Sequence, residues 1–200
     1  MRMKERVVIV TGAARGLGRG FAERLAAEGA AVVCGDLRPC DETVAAIRGA
    51  GGRAVALRLD VTDMASCLAS AETAVAEFGR LDGLVNNAAL YADIKGARFD
   101  QIEEKQWDAV MNVNVKGIWQ MCKAAVPQIR KAGGGSIVNI SSLAAVHGMA
   151  YAIDYGVSKA AVIGLPFFTY RRVVPAPSSS HAASVRPSFG GCTSPGFSLA

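Results

Sequence analysis

The feature that most constrains the fold is an alternation of short apolar segments with amphipathic stretches, starting near residue 7. The apolar segments show no polar alternation, which is typical of strands buried on both faces of a parallel sheet. The predicted strands are Val7–Val10, Ala31–Cys34, Ala54–Leu59, Leu84–Asn86 and Ser136–Ile140. The predicted helices are Arg19–Glu28, Asp41–Gly49, Ala65–Phe78, Glu104–Ala125 and Tyr155–Leu165. This order predicts a doubly wound α/β domain, in which ligands bind beyond the carboxyl ends of the strands.

A glycine-rich turn connects the first predicted strand to the first helix, and its residues are Thr11, Gly12, Ala13, Ala14, Arg15, Gly16, Leu17 and Gly18. Glycines there let the backbone approach a pyrophosphate, whose charge is stabilised at a helix N-terminus. A purely structural turn is the alternative. The position between a first strand and a helix favours a dinucleotide site of the Rossmann type.

Asp36 follows Gly18 by 18 residues and closes the second strand, where a ribose-binding acid is expected. Its carboxylate would accept hydrogen bonds from the ribose and repel a 2′-phosphate, which favours NAD over NADP. Arg15 and Arg38 argue for NADP, because a guanidinium binds phosphate well. The repulsion between an unpaired carboxylate and a 2′-phosphate is expected to exceed the attraction that a flexible arginine offers the phosphate. NAD is therefore the predicted cofactor.

Tyr155 and Lys159 are four residues apart on a predicted helix, which places the phenol and the ammonium on one face. A cation close to a phenol favours the phenolate, and such a phenol can exchange a proton with a substrate oxygen. Ser142 lies thirteen residues before Tyr155 and offers a hydroxyl that could hold the same oxygen. The Tyr-x-x-x-Lys spacing alone is weak evidence for catalysis, since it also arises by accident.

The whole set of motifs resembles the short-chain dehydrogenase/reductase family, over roughly residues 4–165. In chain order the motifs are Thr11-Gly-x-x-x-Gly-x-Gly18, Asp60-Val61, Asn86-Asn87-Ala88-Ala89, Asn114, Ser142 and Tyr155-x-x-x-Lys159. The resemblance implies that Asp60 and Val61 contact adenine, and that Asn87 and Ala88 line the nucleotide-binding floor.

The same resemblance implies the catalytic roles. Tyr155 would be the general acid–base, and Lys159 would bind the nicotinamide ribose and favour the phenolate. Ser142 would position the substrate oxygen, with the neighbouring Ser141 a weaker candidate. Asn114 would hold a water in a proton relay to Lys159. No metal site is expected.

Residues 166–200 depart from the family pattern. They hold five of the seven prolines, seven serines and no Asp, Glu or Lys. Pro166 is expected to interrupt the Tyr155 helix. We expect residues 1–165 to form the NAD-binding domain without the last strands of the sheet, and 166–200 to be a poorly ordered tail. A shifted reading frame or a truncation product is one hypothesis for the tail, and a genuine lineage-specific tail is the other.

Charge and hydropathy exclude several classes of function. The net charge of +5 divides into +2 for residues 1–165 and +3 for the tail, so no basic patch for nucleic acid is expected. No apolar run approaches a membrane span, and no signal peptide is evident, so a cytoplasmic location is expected. Five cysteines without metal-like spacing are expected to be reduced thiols.

The resemblance implies an NAD-dependent oxidoreductase that interconverts a secondary alcohol and a ketone. A 3-oxoacyl-carrier-protein reductase, which would usually prefer NADPH, is one alternative. A truncated, catalytically impaired nucleotide-binding remnant is the other. Homo-oligomers are typical of the family, but the interrupted Tyr155 helix puts one in doubt here.

Overall fold

The computed structural model describes residues 1–92 and 94–173, with side chains as far as residue 165. The strands are β1 (Val7–Thr11), β2 (Ala31–Asp36), β3 (Arg53–Arg58), β4 (Gly83–Asn86) and β5 (Ser136–Asn139). The helices are α1 (Gly16–Ala27), α2 (Asp41–Gly49), α3 (Met64–Phe78), α4 (Glu104–Met111), α5 (Gly117–Lys131), α6 (Ala144–His147) and α7 (Ile153–Val173). A π turn at Asn112–Lys116 joins α4 to α5, and a short 3-10 turn covers Phe99–Gln101.

The strands form one parallel sheet in the order β3-β2-β1-β4-β5. The predicted doubly wound α/β fold is confirmed. Strand order reverses between β1 and β4, and ligands bind at such a point in open α/β sheets. Among the described residues β5 is an edge strand, and Val138 on it is 49% exposed.

Alternate residues of β1 enter two separate cores, one on each face of the sheet. Val7 and Ile9 pack with residues of α3, α5 and α7, whereas Val8 and Val10 pack with residues of α1 and α2. Burial on both faces explains why the strands read as continuous apolar runs.

The helix boundaries follow local signals. The Asp63 carboxylate accepts hydrogen bonds from the backbone N–H of Ala65 and Ser66 and so caps the start of α3. Gly79 ends the same helix at φ 80°, in the left-handed region that favours glycine.

Two boundaries predicted from the sequence are wrong. The helix predicted over Glu104–Ala125 continues to Lys131, passes through Pro127 and contains the π turn. We expected Pro166 to interrupt the helix that begins near Tyr155. In the structure α7 continues through Pro166 and ends at Val173. A proline inside a helix costs about 3 kcal/mol. Helices α5 and α7 both tolerate that cost. The predicted tail beyond residue 173 lies outside the described residues.

Candidate active site

The carboxyl ends of the strands bring the predicted site residues to one edge of the sheet. Thr11 ends β1, Asp36 ends β2, and Asn86 ends β4, with Asn87 directly after it. Ile140 follows β5 and donates its backbone N–H to the Asn86 carbonyl over 3.0 Å. Residues far apart in sequence therefore meet beside the start of α1.

The glycine-rich turn, called the cradle below, requires glycine at three positions. Gly12 and Gly16 have φ values of +68° and +57°, which an L side chain rarely adopts. A Cβ at Gly18 would overlap the Gly12 carbonyl oxygen and lie 2.6 Å from Asn87 Nδ2. The turn therefore packs closely on itself and on Asn87 at the start of α1, where the first N–H groups of a helix lack intrahelical partners. Arg15 and Leu17 flank the turn and are exposed.

Asn87 and Thr11 fasten this turn to the end of β4. Asn87 Nδ2 donates to the carbonyls of Thr11 and Gly12 over 3.0 and 3.3 Å. The Thr11 hydroxyl accepts from the backbone N–H of Asn87 and Ala88 over 3.0 and 2.9 Å. Asn87 therefore shapes the floor of the cradle.

Asp36 also supports the turn. Its two carboxylate oxygens accept the backbone N–H of Ala14 over 3.1 Å and of Arg38 over 3.0 Å. The side chains of Arg15 and Arg38 are exposed beside it. A half-buried carboxylate thus lies at the position expected to contact the adenosine ribose, with two exposed arginines near it in sequence.

Asp60 and Val61 follow β3 at the same edge. Asp60 Oδ1 accepts the backbone N–H and the hydroxyl of Thr62 over 2.8 and 2.7 Å. Val61 is buried, and its carbonyl accepts from Gln120 Nε2 over 2.9 Å. The two residues therefore form a rigid corner of the candidate site.

Tyr155 and Lys159 lie on consecutive turns of α7, as predicted. The Lys159 ammonium lies 5.7 Å from the centroid of the Tyr155 ring and donates to the Ile140 carbonyl over 2.8 Å. Lys159 is 2% exposed, and burial lowers its pKa to about 8. The amine can therefore gain or lose a proton close to neutral pH.

The structure gives the two serines different partners. Ser141 Oγ donates to the Lys159 carbonyl over 2.8 Å and so ties the β5 loop to α7. Ser142 Oγ accepts the Ala144 N–H over 3.2 Å, which leaves its own proton available to another acceptor. Ser142 is thus better placed than Ser141 to bind a substrate oxygen.

Asn114 connects the loop after β4 to α7, the helix that carries Tyr155 and Lys159. Its Oδ1 accepts from Leu90 N over 2.7 Å, and its Nδ2 donates to Leu90 O over 3.2 Å and to Ser158 Oγ over 3.0 Å. The Ser158 hydroxyl then donates to the Tyr155 carbonyl over 2.7 Å. Both Nδ2 protons are used, so a relay water would have to bind Asn114 through an oxygen.

Sequence reasoning missed a set of hydrogen bonds that joins half-buried Gln106 of α4 to buried Asp154 of α7. The Gln106 amide bonds both backbone groups of Lys95 over 3.0 and 3.1 Å, and Nε2 also donates to Asp154 Oδ2 over 2.9 Å. Asp154 is fully buried and directly precedes Tyr155. Ser158 and the Ile140 carbonyl were missed too. Among these residues only Asp154 offered a sequence signal, because it is an acidic residue directly before Tyr155.

Other groups in the described part of the chain add no chemistry to the site. Cys34, Cys40, Cys67 and Cys122 are free and buried, and burial raises the pKa of each thiol. No trio of metal-ligating side chains is grouped in residues 1–92 and 94–173. None of the described helices combines the length and apolarity that a membrane crossing requires.

Comparison with known proteins identifies relatives over most of the chain. The family model described as short chain dehydrogenase matches residues 6–168. The 3-oxoacyl-(acyl-carrier-protein) reductase FabG of Thermotoga maritima is 38% identical over 82% of this chain and 67% of its own length. The short-chain reductase protein NovJ of Streptomyces niveus is 39% identical over 97% of this chain and 70% of its own length.

Among solved structures, carveol dehydrogenase from Mycobacterium avium in complex with NAD has a TM-score of 0.77 and 32% sequence identity. The match covers 82% of this chain and 64% of that one. The chain thus spans about two thirds of the length of the relatives it matches. The alignment with NovJ also extends past residue 168, where the family model ends.

Proposed function

The chain belongs to the short chain dehydrogenase family, and on that premise we propose that it is an NAD-dependent oxidoreductase that interconverts a secondary alcohol and a ketone. The observation that carries this proposal is the buried Lys159 ammonium, 5.7 Å from the Tyr155 ring. A phenol beside a buried amine is an arrangement that can pass a proton to or from a substrate oxygen.

The residues around the glycine-rich turn fit a dinucleotide. The overlap that a Cβ at Gly18 would make with the Gly12 carbonyl requires glycine in the tight turn at the start of α1, and a helix N-terminus is where a pyrophosphate is stabilised. We assign phosphate contacts to Gly12, Arg15, Gly16, Leu17 and Gly18. We assign ribose contacts to Asp36 and Lys159, and adenine or floor contacts to Asp60, Val61, Asn87 and Ala88. NAD bound there would supply the hydride acceptor of the reaction.

The chain's own residues handle the proton and the oxygen. Ser142 donates a hydrogen bond to the substrate oxygen and fixes its position. Tyr155, as phenolate, removes the hydroxyl proton while the carbinol C–H bond breaks, and returns that proton in the reverse direction. Lys159 places its ammonium beside the Tyr155 ring, and Asn114 keeps α7 in register with the β4 loop. Alcohol oxidation would thus yield a ketone and one proton on Tyr155, and the hydride would pass to the bound NAD.

Asp36 supports the preference for NAD over NADP. Two like charges about 4 Å apart near a protein surface repel by roughly 4 kcal/mol, which exceeds what one exposed arginine recovers. We expect tighter binding of NADH than of NADPH in a fluorescence titration. Replacing Asp36 with Ala should narrow that difference. Tighter binding of NADPH to the unaltered chain would overturn the assignment.

The decisive test of function is Tyr155→Phe. We expect it to abolish NAD reduction by a secondary alcohol and to leave NADH binding nearly unchanged, because the phenyl ring keeps the packing. Turnover equal to that of the unaltered chain would remove Tyr155 from the mechanism. A rate of roughly 1 per second or more would show full competence.

Two alternative functions predict different assay results. The likeness to FabG and the exposed Arg15 and Arg38 favour a 3-oxoacyl-carrier-protein reductase. That activity would appear as reduction of an acetoacetyl thioester with NADPH in preference to NADH. The span of only about two thirds of its relatives favours a nucleotide-binding protein without turnover. Saturable NADH binding with no reaction on any alcohol or ketone would support that reading.

A further inference from the structure

Side chains hold both backbone groups of Tyr155. Tyr155 is the third residue of α7, and the first N–H groups of a helix lack intrahelical partners. Asp154 Oδ1 accepts the Tyr155 N–H over 2.9 Å. On the other side, Ser158 Oγ donates to the Tyr155 carbonyl over 2.7 Å. The backbone of the proposed proton-transfer residue is therefore fixed at its N–H and at its carbonyl.

Gln106 on α4 holds Asp154 in turn. Its Oε1 accepts the Lys95 N–H over 3.0 Å. Its Nε2 donates to the Lys95 carbonyl over 3.1 Å and to Asp154 Oδ2 over 2.9 Å. A side-chain amide nitrogen carries two hydrogens, so both Nε2 hydrogens are used. Gln106 thus joins the loop after β4 to the residue that bonds the Tyr155 N–H.

Asn114 makes the same three kinds of bond on the other side of Tyr155. It accepts the Leu90 N–H, donates to the Leu90 carbonyl, and donates its second Nδ2 hydrogen to Ser158 Oγ. Leu90 and Lys95 both lie between β4 and α4. Two amide side chains therefore connect this stretch of the chain to Tyr155, one through the carbonyl and the other through the N–H.

Asp154 is a costly residue at this place unless its carboxylate is needed. It is 0% exposed, and a buried carboxylate costs free energy unless hydrogen bonds compensate for the lost water. Each of its oxygens accepts one hydrogen bond, and negative charge is favoured at the start of a helix. One rigid carboxylate bonds both Gln106 and the Tyr155 N–H, so loss of the bond at one oxygen frees the carboxylate to turn at the other.

We propose that Gln106 and Asp154 are positioning residues for Tyr155, which hold its N–H while Asn114 and Ser158 hold its carbonyl. The proposal rests on the function proposed above for Tyr155. Proton transfer depends steeply on geometry, and a misplacement of about 1 Å can lower a rate about a hundredfold. Loss of the bond between Gln106 and Asp154 should therefore lower kcat. It should leave NAD binding nearly unchanged, because other side chains fasten the glycine-rich turn.

Reversal of the hydrogen bond tests this contact. Gln106→Glu places two carboxylates against each other, and Asp154→Asn leaves one N–H donor facing another. In the double variant the new amide at position 154 donates to the new carboxylate at position 106, and its oxygen still accepts the Tyr155 N–H. The Lys95 carbonyl loses its donor, but Lys95 is exposed, so water replaces that bond.

The kinetic readout is NAD reduction by a secondary alcohol. Each single variant should lower kcat by about tenfold or more, with KM for the alcohol and Kd for NADH within about twofold of the unaltered values. The double variant should recover most of the lost kcat, because the hydrogen bond is restored with its polarity reversed. Glu104→Gln at the exposed start of α4 is the matched control and should leave kcat unchanged.

Fluorine NMR of the chain labelled with 3-fluorotyrosine reports on Tyr155 without turnover. The signal that disappears in Tyr155→Phe identifies the residue. That signal should shift by more than its linewidth in each single variant and return toward its original place in the double variant. Glu104→Gln should leave it where it was.

The outcomes separate this proposal from the proposed function. A Tyr155 signal unchanged in both single variants overturns the proposal, and so does a shifted signal with unchanged kcat. Failure of a folded double variant to recover either quantity overturns it too, because the effect would not pass through this hydrogen bond. If the unaltered chain turns over no alcohol, the proposed function fails, and the fluorine signal alone decides whether the pair positions Tyr155.

Discussion

Replacement of Lys159 by Met should make the folded chain more stable at pH 7 while abolishing turnover. The lysine is 2% exposed, and burial lowers its pKa from 10.5 to about 8. At pH 7 the folded chain must therefore hold a charge in a place that disfavours it. Met keeps the length of the aliphatic stem and removes the charge, so it relieves this penalty.

The magnitude follows from the size of the pKa shift. A fall from 10.5 to about 8 corresponds to roughly 3 kcal/mol at pH 7. The variant also leaves the Ile140 carbonyl without its ammonium donor, which costs about 1–3 kcal/mol. We expect a net gain of about 1 kcal/mol in the free energy of unfolding at pH 7.

The gain should depend on pH in a defined direction. Between pH 8 and 10.5 the unfolded lysine binds more protons than the folded one, so the unaltered chain loses its penalty as pH rises. The penalty falls by about 1 kcal/mol between pH 7 and 9. The advantage of Lys159→Met should therefore shrink to about zero by pH 9.

Urea denaturation followed by far-UV circular dichroism, at pH 7, 8 and 9, measures the difference between the two proteins. The buried thiols lower stability above pH 9, because they keep protons that the unfolded chain releases. That effect is common to both proteins and cancels in the difference. Lys105→Met on the exposed side of α4 is the matched control, with an expected change within about 0.5 kcal/mol at every pH. A difference for Lys159→Met that is the same at pH 7 and 9 would refute the reasoning.

Three further predictions concern the scaffold around the site. Gly18→Ala should weaken NADH binding in a fluorescence titration, because the new Cβ would overlap the Gly12 carbonyl. The control is Gly20→Ala in the same helix, whose Cβ meets no atom within 4 Å. That control should raise the free energy of unfolding by about 0.5–1 kcal/mol. Gln106→Leu should lower the free energy of unfolding, measured by urea denaturation, by about 2–3 kcal/mol, because the buried Asp154 carboxylate loses a hydrogen-bond donor. The same substitution should lower it by less in a chain that already carries Asp154→Asn. Burial alone would raise the pKa of Asp82, but hydrogen bonds from Arg80, Val7 N–H and Arg6 outweigh it and hold that pKa below its usual range. Asp82→Asn should therefore destabilise the chain by about 2 kcal/mol at pH 7 and by much less near pH 3, where the stabilising ionisation of Asp82 is being lost. Equal destabilisation at both pH values would contradict this assignment.

The sequence predicted the order of strands and helices because each core element carries a local signal. The run Val7–Val10 is buried on both faces, and Gly79 ends α3 with a positive φ. The errors arose where a local signal was outweighed. Pro127 and Pro166 have the sequence character of helix breakers, yet both helices continue through them. The residue pattern did not predict the π turn.

The residues of the candidate site also fall into a group that the sequence predicted and a group that it did not. Tyr155, Lys159 and Asp36 were predicted because chemistry demands a charged or titratable group at a fixed spacing. Ser158 and Gln106 were missed because a neutral side chain that only holds another group has no characteristic spacing. The Ile140 carbonyl could not be predicted at all, since every residue carries one. Long-range contacts identify such partners, and a single sequence does not contain them.

The hydrogen bonds of Asn114 show why the missed residues matter to function. Lys159 and Asp154 are both buried, and each disfavours the folded state unless its partners are in place. Asn114, Ser158 and the Gln106 tie join the β4 loop to α7 and hold these groups beside Tyr155. The Lys159 charge thus works against stability, and the neutral groups around it offset that cost. Removal of a neutral partner should therefore lower stability and turnover together, whereas removal of the Lys159 charge should move them in opposite directions.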